Sequence, residues 1–151
     1  MPNFIVGARL HDYGKGTPDE LFGQVSADGL AYKKCVPSVK SYADVTDALV
    51  AETVAAEKAH HIQVAVLGTY VELAINDESR LCNVADFKSQ LAVCKALGAG
   101  CIGTETTAMS KQPAGTTRAQ AQELLCRSLA EILPAAEALG VGVPTLRDIA
   151  K

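Results

Sequence analysis

The stretch Cys101-Ile102-Gly103-Thr104-Glu105-Thr106-Thr107 decides the fold. A short apolar run ends abruptly in a carboxylate flanked by three hydroxyls, and a loop and a long helical pattern follow. Strand, turn and helix in that order form the repeating unit of a parallel α/β sheet. In such sheets the carboxyl ends of the strands carry substrate and metal sites. Glu105 is therefore the first candidate for chemistry, with Thr104 beside it.

Working outward, the same unit recurs. β-like runs at residues 4–9, 30–36, 63–67, 100–103 and 140–143 alternate with helical segments. Thr17-Pro18-Asp19-Glu20 reads as a capping box with Pro at the first helical position, and Gly29 follows the helix it opens. Thr46 or Asp44 caps a second helix running to about Ala59. Asn83 caps a third, whose residues Val84, Phe87, Leu91 and Cys94 recur at helical spacing and which ends near Leu97-Gly98. Thr117 opens a fourth with an inner stripe of Leu124, Leu125, Leu129, Ile132 and Leu133, which Pro134 should bend or divide. Four βα units and a fifth strand, with no linker between them, predict one domain over residues 1–151. The sheet should be mainly parallel with right-handed crossovers.

Composition narrows the function. The 151 residues are 48% hydrophobic and 21% charged, as in an ordinary soluble domain. A net charge of −3 without a Lys/Arg block, 5% aromatic residues and no Trp argue against nucleic acid as a partner. The amino terminus lacks the basic and apolar regions of a signal peptide, and no apolar run approaches a membrane span. Five cysteines form no CxxC pair, which fits reduced core thiols in a cytoplasmic protein.

Three motifs carry a resemblance. They are Gly7-Ala8-Arg9-Leu10-His11-Asp12-Tyr13-Gly14, then Ala65-Val66-Leu67-Gly68-Thr69-Tyr70-Val71-Glu72-Leu73, then Gly103-Thr104-Glu105-Thr106-Thr107. Each lies at the end of a predicted strand. Together, over about residues 4–143, the chain resembles the N-terminal half of the sugar phosphate isomerase/epimerase family of xylose isomerase-like TIM barrels. The resemblance implies eight-stranded barrels that interconvert aldoses and ketoses or epimerise keto sugars through an enediolate. Such chemistry needs a positioned base and a cation, Mn²⁺ or Mg²⁺, to stabilise the developing oxyanion.

The resemblance also implies which residues act. Glu105 would serve as acid/base or hydroxyl ligand, His11 with Asp12 and Tyr70 with Glu72 would position a sugar or sugar phosphate, and Thr104 would bind beside them. Family metal ligands come from the fifth to eighth strands. Here residues 144–151 read Pro-Thr-Leu-Arg-Asp-Ile-Ala-Lys, with no Glu, so no metal is expected on this chain alone.

A complete barrel takes about 250 residues. Two arrangements satisfy a chain of this length. One is a half barrel with strand order 1-2-3-4-5, which a homodimer could close. The other is a flavodoxin-like sheet of order 2-1-3-4-5. Lys33-Lys34 in the second strand favours the latter, because charge suits an edge strand, or else a fragment freed from the constraints of an intact barrel. Glu57 on the inner stripe of the second helix points the same way. His60-His61 reads as a helix end, where cations suit the dipole. Two functional expectations follow: a fragment inactive alone, or an isomerase completed by a second chain.

Overall fold

A computed structural model describes residues 7–30, 32–35, 45–105 and 109–146, without the side chains of residues 32–35, 105, 109, 145 and 146. The sheet contains β1 (Gly7–Arg9), β2 (Tyr32–Cys35), β3 (Gln63–Thr69), β4 (Cys101–Glu105) and β5 (Thr145–Leu146). The helices are α1 (Pro18–Ala27), α2 (Asp47–Ala59), α3 (Asp77–Ala96) and α4 (Arg118–Leu139). Every strand pair is parallel. The order is β1-β2-β3-β4-β5.

This is the barrel order, and the flavodoxin alternative is overturned: β2 lies between β1 and β3, with Lys33 opposite Ala8 and Val64, and Lys34 opposite Arg9 and Val66. Consecutive right-handed crossovers place all four helices on one face. An internal strand then still has one uncovered face, so charge within it does not mark an edge. Glu57 is reconciled differently. Its Oε1 accepts the Val64 N–H at 2.7 Å, which partners the carboxylate where β3 begins.

The core lies between the helices and the covered face of the sheet. Phe22, Phe87, Leu67, Leu91, Ile102 and Ile132 are fully buried there. In parallel strands, alternate residues face opposite ways. Leu67 pairs with Ile102 toward the helices, and Val66 pairs with Cys101 on the open face, where both remain partly exposed. Gly103 belongs to that open face too: a Cβ there would meet Val66 Cγ1 at 3.3 Å.

Helix ends explain several boundaries. Thr17 and Thr117 each make full capping boxes, and Thr46 caps α2. α3 starts at Asn76, whose Oδ1 accepts from Ser79 N, rather than at Asn83. Its first turn, Asp77 to Arg80, is polar, so the apolar spacing becomes visible only from Val84. Its buried line of Val84, Phe87, Leu91 and Cys94 is as expected.

Gly140 has φ 67° and caps α4 instead of opening a strand, so the fifth strand is not 140–143 but Thr145–Leu146, preceded by a single bridge between Gly142 and Cys101. α4 runs unbroken through Pro134. Pro134 and Ala130, whose carbonyl loses its partner, are both exposed, so water can satisfy that group. The buried line of α4 is Ala121, Ser128, Ile132 and Ala136, and Leu133 is 48% exposed. Nor are the thiols all in the core. Cys94 is buried, but Cys82 and Cys126 are exposed. No helix among the described residues is long and apolar enough to cross a membrane.

Candidate active site at the carboxyl ends of the strands

Each site residue expected from sequence sits at the rim where β1, β3 and β4 end. After β1 the chain enters a 3-10 turn, Leu10–Tyr13, anchored by the buried Leu10. Arg9 grips Asp12 with two prongs, Nε to Oδ2 at 3.2 Å and Nη2 to Oδ1 at 3.1 Å. His11 Nε2 lies 3.4 Å from the same carboxylate. The Arg9 hydrogen bond holds the Asp12 carboxyl below its usual range. Asp12 is therefore an ionised acceptor, oriented by a cation that sequence reading passed over. The Arg9–Asp12 spacing of three was the available signal.

β3 ends at Thr69, and the loop from Tyr70 to Asn76 carries two more candidates. Tyr70 is 51% exposed. The Glu72 carboxylate forms an ion pair with Lys111, from the 3-10 turn Met109–Lys111 after β4. That contact joins the β3 and β4 rims. Three successive carbonyls of this loop accept side-chain hydrogen bonds: Glu72 O from Asn83 Nδ2 at 2.6 Å, Leu73 O from Ser128 Oγ at 2.6 Å, and Ala74 O from Gln112 Nε2 at 2.6 Å. The donors come from α3, α4 and the loop before α4. Asn83, read from sequence as a cap, thus works inside the helix as a loop anchor.

At β4, Thr104 pairs in register with Thr69 and Thr145 and is 2% exposed, on the helix side of the sheet. Glu105 is the last residue of β4, in register with Leu146 of β5. Its side chain, and residues 106–108 after it, lie outside the described residues.

The His60–His61 pair is remote from this rim. His60 Nε2 contacts Asp19 Oδ1 at 2.8 Å, which ties the end of α2 to the start of α1. A cavity lined by Glu57, Lys58, Ile62, Gln63, Leu97 and Gly98 opens at the opposite end of β3.

Chemically the rim offers hydrogen-bonding groups for a polyol: the Asp12 and Glu72 carboxylates, the Tyr70 hydroxyl and the His11 ring. No group of three or more His, Cys, Asp or Glu side chains able to hold a metal ion exists among the described residues.

A family model described as Xylose isomerase-like TIM barrel matches residues 25–144. No curated protein matches the chain. Among solved structures, the chain is similar to 3-keto-D-glucoside 4-epimerase from E. coli, with a TM-score of 0.75 and 14% identity over 95% of this chain and 56% of that one. It is similar to D-psicose 3-epimerase from Clostridium cellulolyticum H10, solved with D-tagatose, with a TM-score of 0.74 and 17% identity over 91% and 50% of the two chains. A xylose isomerase-like TIM barrel protein from Mycobacterium smegmatis, in complex with magnesium, gives 0.70 and 15% over 93% and 54%. The chain spans about half the length of these structures, and at such identities the likeness is one of fold.

Proposed function

From the premise that the chain belongs to the xylose isomerase-like TIM barrel family, we propose that it is one half of a sugar isomerase or epimerase site. It is silent as a single copy and competent once a second copy of the chain completes the barrel. The observation that carries this reading is the barrel strand order, which brings Asp12, Tyr70, Glu72 and Glu105 to the carboxyl-end rim of a sheet that spans about half the length of the barrels it resembles.

In the completed barrel Glu105 would take and return the proton next to the substrate carbonyl. His11, with Asp12 fixed by Arg9, and Tyr70 would hold sugar hydroxyls. Glu72, held by Lys111, would border the same pocket, and Thr104 would support the strand end from behind. Two copies present each of these groups twice, which suits reactions that work on both faces of a carbon. The substrate class is a small keto sugar or its phosphate.

The test is turnover of D-tagatose by the purified chain in the presence of Mn²⁺ or Mg²⁺, measured across a protein concentration series. Rate per chain should rise with the dimer fraction and vanish in the monomer. Glu105→Gln should lower it by orders of magnitude. Turnover by a strictly monomeric preparation, or an undiminished rate in Glu105→Gln, would dismiss the proposal.

A further inference from the structure

β3 is not a regular strand. Alternate residues of a strand face opposite sides of its sheet, yet Val64 and Leu67, three apart, are both fully buried in the core. Ala65 and Val66 between them are both partly exposed. The pairing with β2 accounts for this. Lys33 lies opposite Val64 and Lys34 opposite Val66, so one step of β2 spans two steps of β3, and Ala65 is the extra residue. Such a β-bulge is rare between parallel strands.

Beyond it β3 runs in even register with β4, from Val66 opposite Cys101 to Thr69 opposite Thr104. The extra residue is felt at that far end. Counted by strict alternation from Val64, Thr69 would fall on the open face of the sheet. With Ala65 inserted, Thr69 lies on the helix side, 2% exposed beside the equally buried Thr104. The loop from Tyr70 onward leaves β3 from there, and its carbonyls at Glu72, Leu73 and Ala74 meet Asn83, Ser128 and Gln112.

The bulge is held by a side chain from outside the sheet. At its first residue the Val64 N–H donates to Glu57 Oε1 at 2.7 Å. Glu57 stands in the last turn of α2, half buried, where it lines a cavity with Ile62 and Leu97. It supplies the acceptor that a backbone donor displaced by a bulge needs.

We propose that Glu57 is a positioning residue for the rim. By holding the bulge at Val64 and Ala65, it sets which way the second half of β3 faces and where the loop carrying Tyr70 and Glu72 departs. Its bearing on sugar chemistry rests on the reading of that rim as a substrate site. The facing of β3 does not.

The experiment therefore reads facing, not turnover. Thr69→Cys and Val66→Cys are placed separately in a chain carrying Cys35→Ser, Cys82→Ser, Cys101→Ser and Cys126→Ser. The buried Cys94 remains as the reference for global opening. Labelling by a water-soluble maleimide is followed by mass spectrometry. With Glu57 in place, the thiol at 66 should react well ahead of Cys94, and the thiol at 69 no faster than Cys94. Glu57→Leu, which removes the acceptor, should reverse the order of the two probes, each moving roughly tenfold or more relative to Cys94. Glu57→Gln keeps an acceptor oxygen and should label like the parent. Deleting Ala65 restores regular alternation without a bulge. A Glu57→Leu chain lacking Ala65 should therefore also label like the parent, and should fold even where Glu57→Leu alone does not. An unchanged order in Glu57→Leu, both probes quickening alike, or no rescue by Gln or by the deletion would each overturn the proposal, leaving Glu57 a stabilising contact only. Absence of sugar turnover would dismiss the function proposed above and leave this outcome standing.

Discussion

Replacing Ser128 by Ala tests how the rim loop is held. Ser128 is 0% exposed, and its one hydroxyl proton faces Leu73 O at 2.6 Å and Leu124 O at 3.0 Å. Leu124 O already has a helical partner in α4, so the substitution strands the Leu73 carbonyl, in a residue that is itself fully buried. A buried acceptor left without its donor costs roughly 1–3 kcal/mol. At about 2–4 °C per kcal/mol for a domain of this size, the melting temperature should fall by about 4–8 °C for a loss near 2 kcal/mol.

Urea titration measures the loss directly, and amide exchange across residues 70–76 should quicken beyond the global change. Ser89→Ala is the matched control, because its hydroxyl donates to Asp86 O on the exposed side of α3 and should shift stability by less than about 0.5 kcal/mol. If Ser128→Ala proves as mild as Ser89→Ala, the loop is not held as the distances suggest.

Three further outcomes follow from the helix ends and from the half-buried acid Glu57. His61 sits at φ 53° after α2, with Ile62 N donating to Glu57 O at 2.9 Å, just as Gly140 at φ 67° precedes the Val141 N to Ala136 O bond. A side chain in that left-handed conformation costs about 1–2 kcal/mol, so Gly140→Ala should destabilise by about that much in chemical denaturation. His61→Gly should stabilise by somewhat less, since glycine also loosens the unfolded chain. Partial burial raises the Glu57 carboxyl above the usual glutamate range, against the opposing pull of the Val64 N–H. The folded state then holds the proton more tightly, so Glu57 erodes stability as pH rises from about 4.5 through its folded value. Glu57→Gln should flatten that part of the stability–pH curve, and an unchanged slope would contradict it.

How much of this was legible in the sequence depends on how local each cause is. The βα alternation, the capping box at Thr17, the helix start at Thr117 and the core line of α3 are short-range patterns, and they read correctly. Gly140 misled because a glycine between apolar residues looks the same before a strand as after a helix. α2 ends at Ala59 as expected, although His61 rather than a glycine takes the left-handed turn after it. Strand order was the harder matter. Lys33-Lys34 argued for an edge only on the assumption that both faces of the sheet are covered, which a half barrel does not satisfy. At the site, the positions of Tyr70, Glu72 and Glu105 followed from the strand ends. Their restraints did not, because Lys111, Gln112 and Ser128 reach back 39, 38 and 55 residues to find the β3 loop. Only Arg9–Asp12 lay close enough in sequence to be seen.

Sedimentation equilibrium of the 151-residue chain, from micromolar to near-millimolar concentration, bears on all of this most directly. The mass should climb reversibly from 15.8 kDa toward twice that value as two half barrels close on one another. A mass that stays at 15.8 kDa to the top of the range would contradict the account.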